Sequence, residues 1–277
     1  MPAHTTLEFL SAKTNEAPAN CLELEREAHH LREAGEVQNA FNLYDRVARL
    51  YQQQGEHLKA ALCFSQAATC WNIHTGWQPL HHAATRNQLA AEEALKAKHF
   101  EYARDLFHEA ATLYEKEGDL EKFSVCYLES QRAKRKRFWH QAVGGQAQNG
   151  DLLDEGAVSV KERIRNFGRW LMSEFGDALW GYGEEPLKTV RLLIGIIVSC
   201  ALYYWKSEGI LYHGQAADLT FMDALYFSLV TFTTVGFGDY APTGFARGIS
   251  VLESLSALVL VPLFLIGLTR RYLRMYR

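Results

Sequence analysis

Two stretches of this chain are badly suited to water. Residues 192–205 carry no charge, and residues 248–269 carry one, Glu253. Thr189 and Val190 extend the first stretch, and Lys188, Arg191 and Lys206 can snorkel, so it reaches the ~20 residues that a bilayer crossing needs. The second is longer and clearer. Residues 1–170, by contrast, hold most of the Lys, Arg, Asp and Glu. The averages, 48% apolar and 22% charged with a net charge of −3, conceal this division. They still exclude a wholly disordered chain, a collagen-like or Pro-rich one, and a surface built throughout for nucleic acid.

With two spans, both ends of the chain face the same side. Arg270, Arg271, Arg274 and Arg277 follow the second span at once, which by the positive-inside rule makes that side cytoplasmic. The cysteines agree. Cys21, Cys63, Cys70, Cys126 and Cys200 are odd in number, scattered and without a CxxC pair, as reduced thiols are. The opening MPAHTTLEFLSAK has no charged segment leading into a long apolar one, so no secretory signal is expected.

From Pro18 to Trp139 the chain reads as helix, with short breaks at Gly35, Gln54-Gly55, Ile73–Pro79 and Gly118. Leu43, Tyr44, Val47, Leu50 and Tyr51 follow a helical step, as do Leu106, Phe107, Ala110, Leu113 and Tyr114. A shift of 63 residues superimposes the two runs, pairing Ala40 with Ala103, Tyr44 with Phe107, Ala48 with Ala111, Gly55 with Gly118 and Cys63 with Cys126. Small residues at crossings, an aromatic knob and a Gly turn recur together, as in stacked helices that share one core. This pattern resembles the tetratricopeptide class and, more loosely, the SNAP-adaptor solenoids. A hairpin repeat should recur every two helices, whereas 63 residues suits three, so the register stays open. An irregular helical bundle is the other reading.

A Gly-, Gln-, Ala- and Asn-rich run from Gln141 to Gly150 marks a linker, set at 140–157. Beyond it, Val160, Ile164, Phe167, Leu171, Phe175 and Leu179 form one apolar stripe, with Lys161, Arg163, Arg165 and Arg169 on other faces and Trp170 and Trp180 alongside. Such a helix just ahead of a span suits a membrane interface. A last soluble helix packed on the repeats is the alternative. The expected order is then a tail (1–17), a helical-repeat domain (18–139), the linker, and an interfacial helix with lead-in (158–186). A first span (187–208), a short apolar helix (219–233), a loop (234–239), a second span (246–269) and a basic tail (270–277) complete it. The fold class is all-α.

Between the spans runs DALYFSLVTFTTVGFGDYAP, Asp223 to Pro242. A bare GxG would say little. The string Thr233-Thr234-Val235-Gly236-Phe237-Gly238-Asp239, after an apolar helix and between two spans, says much more. It resembles the pore loop of tetrameric potassium channels, and residues 187–277 match their two-span, prokaryotic form. The resemblance implies a homotetramer in the plasma (prokaryotic inner) membrane, with K+ held by the carbonyls of Thr234, Val235, Gly236 and Phe237 and by the Thr234 hydroxyl. Rings of oxygens replace the ion's water, and carbonyls that all point one way need alternating backbone handedness, which Gly236 and Gly238 permit. Thr233, Asp239, Tyr226 and Phe227 are the expected support, and Val235 and Phe237 the expected wedge against the pore helix. Phe237 stands where most relatives have Tyr. Val230 stands where some have a Glu that pairs with the filter Asp, which leaves backbone, water or the Tyr226/Phe227 region to partner Asp239. Ala257 lies near the family's gating-hinge Gly, and Pro262 is the candidate bend of the gate, or else a passive kink.

Glu253, as an intramembrane carboxylate, is by default a functional candidate. Its place under the filter turns it toward the pore helix or a neighbouring subunit, where a structural hydrogen bond is the competing reading. His29-His30 and His81-His82 lack the i, i+4 spacing of a helical metal site and read as solvated or capping. The basic run Arg132, Lys134, Arg135, Lys136, Arg137 reads as a solvated helix end, with anionic lipid ahead of nucleic acid as a partner. No phosphate loop, zinc spacing or nucleophile elbow is present, so an enzyme and a cofactor beyond permeant K+ are not expected. The repeats are the candidate regulator, through a protein or peptide ligand. The rivals are a non-selective cation channel, and a membrane-tethered adaptor whose spans only anchor it.

Overall fold

Apolar stripes at helical spacing give a chain of helices, each of which must cover its stripe on a neighbour. The computed structural model describes residues 21–73, 78–144, 147–148, 155–156, 159–207, 209–216 and 218–275. It divides into two units, Met1–Trp170 and Leu171–Arg277. The expected tail 1–17 lies outside the described residues, as do the side chains of Arg270, Arg271 and Arg274.

Among its described residues the first unit has, before the linker, six helices: α1 (Cys21–Glu33), α2 (Val37–Gln53), α3 (His57–Ile73), α4 (Pro79–Lys96), α5 (Phe100–Glu117) and α6 (Leu120–Ala142). Each packs chiefly on the helix before and after it, as in a stacked solenoid. Ala40, Ala60, Ala61, Ala90, Ala94, Ala103 and Ala110 are wholly buried at the crossings, where a methyl lets two backbones approach. Tyr44, Phe64, Phe107 and Tyr114 fill the spaces between them. The start of α5 lies 63 residues after that of α2, and the start of α6 lies 63 after that of α3. The 63-residue shift therefore spans three helices. Burial raises the thiols of Cys63 and Cys126 to about 12, so neither is a reactive nucleophile at neutral pH.

One turn geometry joins four of these helix pairs. Gly35, Gly55, Lys98 and Gly118 all take positive φ, at 80°, 75°, 63° and 87°. At each, the following amide donates to the carbonyl five residues back, as Glu36 to Leu31, Glu56 to Tyr51, His99 to Ala94 and Asp119 to Tyr114. These are Schellman turns, in which one bond pair ends a helix and turns the chain into the next. Three use glycine, which has no Cβ to strain. The fourth uses Lys98, a break the sequence did not announce. Lys98→Gly is expected to stabilise the α4–α5 turn by about 1 kcal/mol, read as slower hydrogen exchange of its amides. Unchanged or faster exchange would contradict this reading.

Glu93 is buried between α2, α3 and α4. Its carboxylate accepts from Gln52 Nε2 at 2.8 Å and Lys96 Nζ at 2.6 Å, and lies 2.7 Å from His57 Nδ1. Burial alone would raise its pKa, but the bonds from Lys96, His57 and Gln52 outweigh that and hold it below the usual carboxylate range. A depressed folded-state value stabilises the domain above the unfolded-state value and loses that stabilisation as pH falls through the folded one. Glu93→Gln is therefore expected to cost about 1–3 kcal/mol at pH 7 and to flatten the acid limb of stability against pH. An unchanged acid limb would refute the assignment.

Of the paired histidines, His30 is exposed, as expected, while the other three make contacts. His82 stacks on Trp71 with ring centroids 4.4 Å apart, His81 lies 3.0 Å from Glu117, and His29 meets the edge of Tyr44. Two charges of the basic run are likewise taken up, Arg132 by Glu129 and Arg137 by Glu101. Helix α6 continues to Ala142, three residues into the expected linker. Beyond it, β1 (Ala147–Gln148) and β2 (Glu155–Gly156) pair antiparallel.

Helix α7 (Val160–Trp180) docks its early part on the end of α6. Asn166 Nδ2 donates to Gln141 Oε1 at 3.1 Å, Arg163 Nε donates to the Ala142 carbonyl at 3.1 Å, and the Trp139 and Trp170 rings lie 4.8 Å apart. Trp170 thus packs on α6. The stripe Val160, Ile164, Phe167, Leu171, Phe175 remains exposed, Val160 and Ile164 at 70% and 71%.

In the second unit, a 3-10 turn (Gly181–Gly183) reverses the chain into α8 (Pro186–Lys206). Gly181, Tyr182 and Gly183 all have positive φ, and the Tyr182 hydroxyl bonds to Ser173, its oxygen 2.9 Å from the Ser173 carbonyl. Then follow β3 (Ile210–Tyr212), β4 (Gln215–Ala216), α9 (Phe221–Phe232), β5 (Tyr240–Pro242) and α10 (Phe245–Met275). The strands form one small antiparallel sheet in the order β4-β3-β5. Helices α8 and α10 are long and apolar enough to cross a membrane, and only 17% and 22% of their apolar windows are buried. Core helices of a water-soluble domain would be mostly covered; these present their apolar sides outward.

Candidate functional site

The loop between α9 and α10 is built from its ends. At the N-terminus of α9, Thr220 and Asp223 form a capping box: the Asp223 amide donates to Thr220 Oγ1 at 3.3 Å and the Thr220 amide to Asp223 Oδ2 at 3.0 Å. Helix α9 is apolar and packs on both α8 and α10, with Ala224, Phe227, Ser228 and Phe232 buried. It occupies the expected 219–233 segment, one to two residues short at each end.

At its C-terminus the backbone changes hand. Thr234, Gly236 and Gly238 have φ of 57°, 58° and 81°, while Val235 and Phe237 between them stay on the ordinary side. This is the alternation that turns successive carbonyls toward one side. The two glycines were legible in the sequence. Thr234 was not, because a β-branched residue in this conformation is a genuine outlier. Its amide donates to the Thr231 carbonyl at 3.1 Å, and the Val235 amide to the Val230 carbonyl at 3.1 Å, so the helix end holds the strained residue. Thr233 Oγ1 donates back to the Leu229 carbonyl at 2.7 Å.

Residues 233–238 are all exposed, and Phe237 keeps 70% of its surface. The expected wedge of Val235 and Phe237 against the pore helix is therefore not made within one chain. Asp239 Oδ1 accepts the Tyr240 amide at 3.0 Å, its backbone carbonyl accepts the His213 amide at 3.0 Å, and the Tyr226 hydroxyl neighbours its carboxylate. Around it gather the rings of Tyr212, Tyr226, Phe227 and Tyr240, each within 6.4 Å of Tyr240 by centroid. Sequence reasoning missed Tyr212 and Tyr240. Their signal was the two-residue hairpin His213-Gly214, with φ of 47° and 83°, which carries Tyr212 back beside β5.

Behind α9, Glu253 is 2% exposed within its own chain. Tyr204 OH of α8 donates to its Oε2 at 2.8 Å, and Ser228 of α9 bonds to its Oε1. Ser254 Oγ, next along α10, donates to the Thr231 carbonyl at 3.2 Å. Of the two candidates for a bend, Ala257 is buried and Pro262 lies exposed inside a helix that is unbroken from Phe245 to Met275. Lower down, Gly267 faces Gly183, where an added Cβ would lie 3.6 Å from the Gly183 carbonyl oxygen.

Comparison with known proteins gives a family match on this stretch. Residues 191–274 match the family described as Ion channel. A potassium channel subfamily K member 2 from Rattus norvegicus is 31% identical over 65 residues, which is 24% of this chain and 15% of that protein. No solved structure matches significantly. The second unit thus carries a stretch that matches an ion-channel family, a transporter-type and non-enzymatic one, and the chain spans only a small part of that relative's length.

Proposed function

We propose that four copies of this chain form a potassium-selective channel, gated through its helical N-terminal unit. The observation that carries this reading is the alternating backbone of Thr234 to Gly238, held at the end of an apolar helix between two membrane-length helices. One chain supplies one strand of oxygens, and a dehydrated cation needs them on all sides, so four strands close the ring. Neighbouring copies then cover the exposed faces of Val235 and Phe237. The C-terminal end of α9 carries partial negative charge toward the central cavity and favours a cation there. Phe237 keeps the ring but not the hydroxyl of the commoner Tyr, so its brace is packing alone.

The cytoplasmic side takes the basic tail and the six-helix unit. The exposed stripe of α7 lies on the bilayer surface, and lipid is its partner. The gate bends at Pro262. Potassium and sodium flux into liposomes containing the purified protein tests the proposal. It predicts potassium entry well above sodium entry. Equal entry would make the pore non-selective, and no entry would leave the spans as an anchor for an adaptor.

A further inference from the structure

Counting protons around Glu253 gives a result that neither the sequence nor the comparisons contain. Ser228 Oγ lies 2.9 Å from the Ile197 carbonyl oxygen and also within hydrogen-bonding distance of Glu253 Oε1. A serine hydroxyl owns one hydrogen, and a backbone carbonyl only accepts. If that hydrogen went to a carboxylate, two bare oxygens would face each other at 2.9 Å. If it goes to Ile197, the contact with Glu253 needs a proton from the carboxyl group. With Glu253 as the acid, each of these contacts has a hydrogen of its own. Tyr204 OH then donates to Oε2, and the Cys200 thiol also bonds to the carboxyl group. Tyr204 and Cys200 are the titratable groups against it, and no Lys or Arg among the described residues pairs with it. A bare charge in so closed a site would lack both water and a counter-ion.

We propose that Glu253 is held as the neutral carboxylic acid, and that in this form it is a positioning residue for the filter. Its proton goes from Oε1 to Ser228 Oγ, and the Ser228 hydrogen goes on to the Ile197 carbonyl. One relay thereby ties the second span to the pore helix and the pore helix to the first span. Six residues separate Ser228 from Thr234, so a shift of α9 moves the oxygen ring directly. This inference rests on the channel reading for its functional part and on hydrogen-bond geometry for the protonation.

The test pairs spectroscopy with selectivity, using the full-length protein in phosphatidylcholine–phosphatidylglycerol vesicles at pH 7. The infrared difference between wild type and Glu253→Gln should contain the carbonyl stretch of a protonated carboxylic acid. A difference showing only ionised carboxylate bands would overturn the proposal. Gln is neutral, donates and accepts, so Glu253→Gln should keep the potassium-to-sodium permeability ratio within about twofold. Glu253→Ala and Ser228→Ala should each lower it by about tenfold, the factor that loss of one buried hydrogen bond corresponds to. A ratio lost in Glu253→Gln as fully as in Glu253→Ala would show that charge is needed, and a ratio kept in both alanine variants would remove the positioning role. If Glu253→Ala fails to assemble, Ser228→Ala and Glu253→Gln decide. A wild type without selective flux would count against the channel reading, while the infrared band would still decide the protonation.

Discussion

Gly236→Ala is expected to abolish selective potassium flux in a protein that still inserts and assembles, and Gly238→Ala to do the same. At both positions an added Cβ would meet no atom of the chain within 4 Å, so collision is not the cause. The cause is the backbone. At φ of 58° and 81° an L-residue pays about 1–2 kcal/mol, and four chains meeting at one axis multiply that to roughly 4–8 kcal/mol. Relaxing to negative φ turns a carbonyl out of the ring, and the oxygens then no longer replace the ion's water. Gly168 in α7 is the control: its φ is ordinary and its surroundings are open, so alanine there should leave flux intact. Retained selectivity in Gly236→Ala would refute the role given to this loop.

Removal of residues 1–158 is expected to leave tetramers that conduct potassium with a changed open probability. Spans, pore helix and loop all lie beyond the cut, and packing inside the membrane can hold such bundles together. What the cut removes is the support of α7, namely Gln141 beneath Asn166 and Trp139 beneath Trp170. The joint from α7 to α8 is stiff. Tyr182 is strapped to Ser173, Thr189 Oγ1 donates to the Leu179 carbonyl at 2.8 Å, and Lys188 pairs with Asp177 at 3.0 Å. Gly183 in that joint faces Gly267 of α10. The truncation is expected to act on the spans through this joint. An ordinary allosteric coupling of about 1–3 kcal/mol shifts opening about 5- to 150-fold, which single-channel recording resolves. Identical open probability would reduce the N-terminal unit to a tether, and loss of tetramers would make it an assembly domain.

Features fixed by neighbouring residues were readable before the fold was seen. Uncharged runs gave the spans, and the alternation of Gly236 and Gly238 gave the loop's backbone. The matched pairs Tyr44/Phe107 and Cys63/Cys126 fall on buried positions, as their place in apolar stripes implies. Features fixed by distant partners were not readable. Lys98 takes a turn that three glycines take elsewhere, against its own backbone preference. The contact of Trp170 with Trp139 was one of these features, since Trp139 lies 31 positions away in sequence but 4.8 Å away in space. The partners of Glu253 come from two other helices, and its proton count depends on a serine whose second acceptor no sequence pattern shows. The left-handed Thr234 runs against its own propensity and is held by the end of α9.

The central claim is that the loop from Thr234 to Gly238 closes a potassium-selective ring between four copies. It is tested most directly by the reversal potential of the full-length protein in a planar bilayer, with potassium chloride on one side and an equal concentration of sodium chloride on the other. A selective ring drives the potassium side strongly negative, toward the potassium equilibrium potential. A reversal potential near zero would contradict the account.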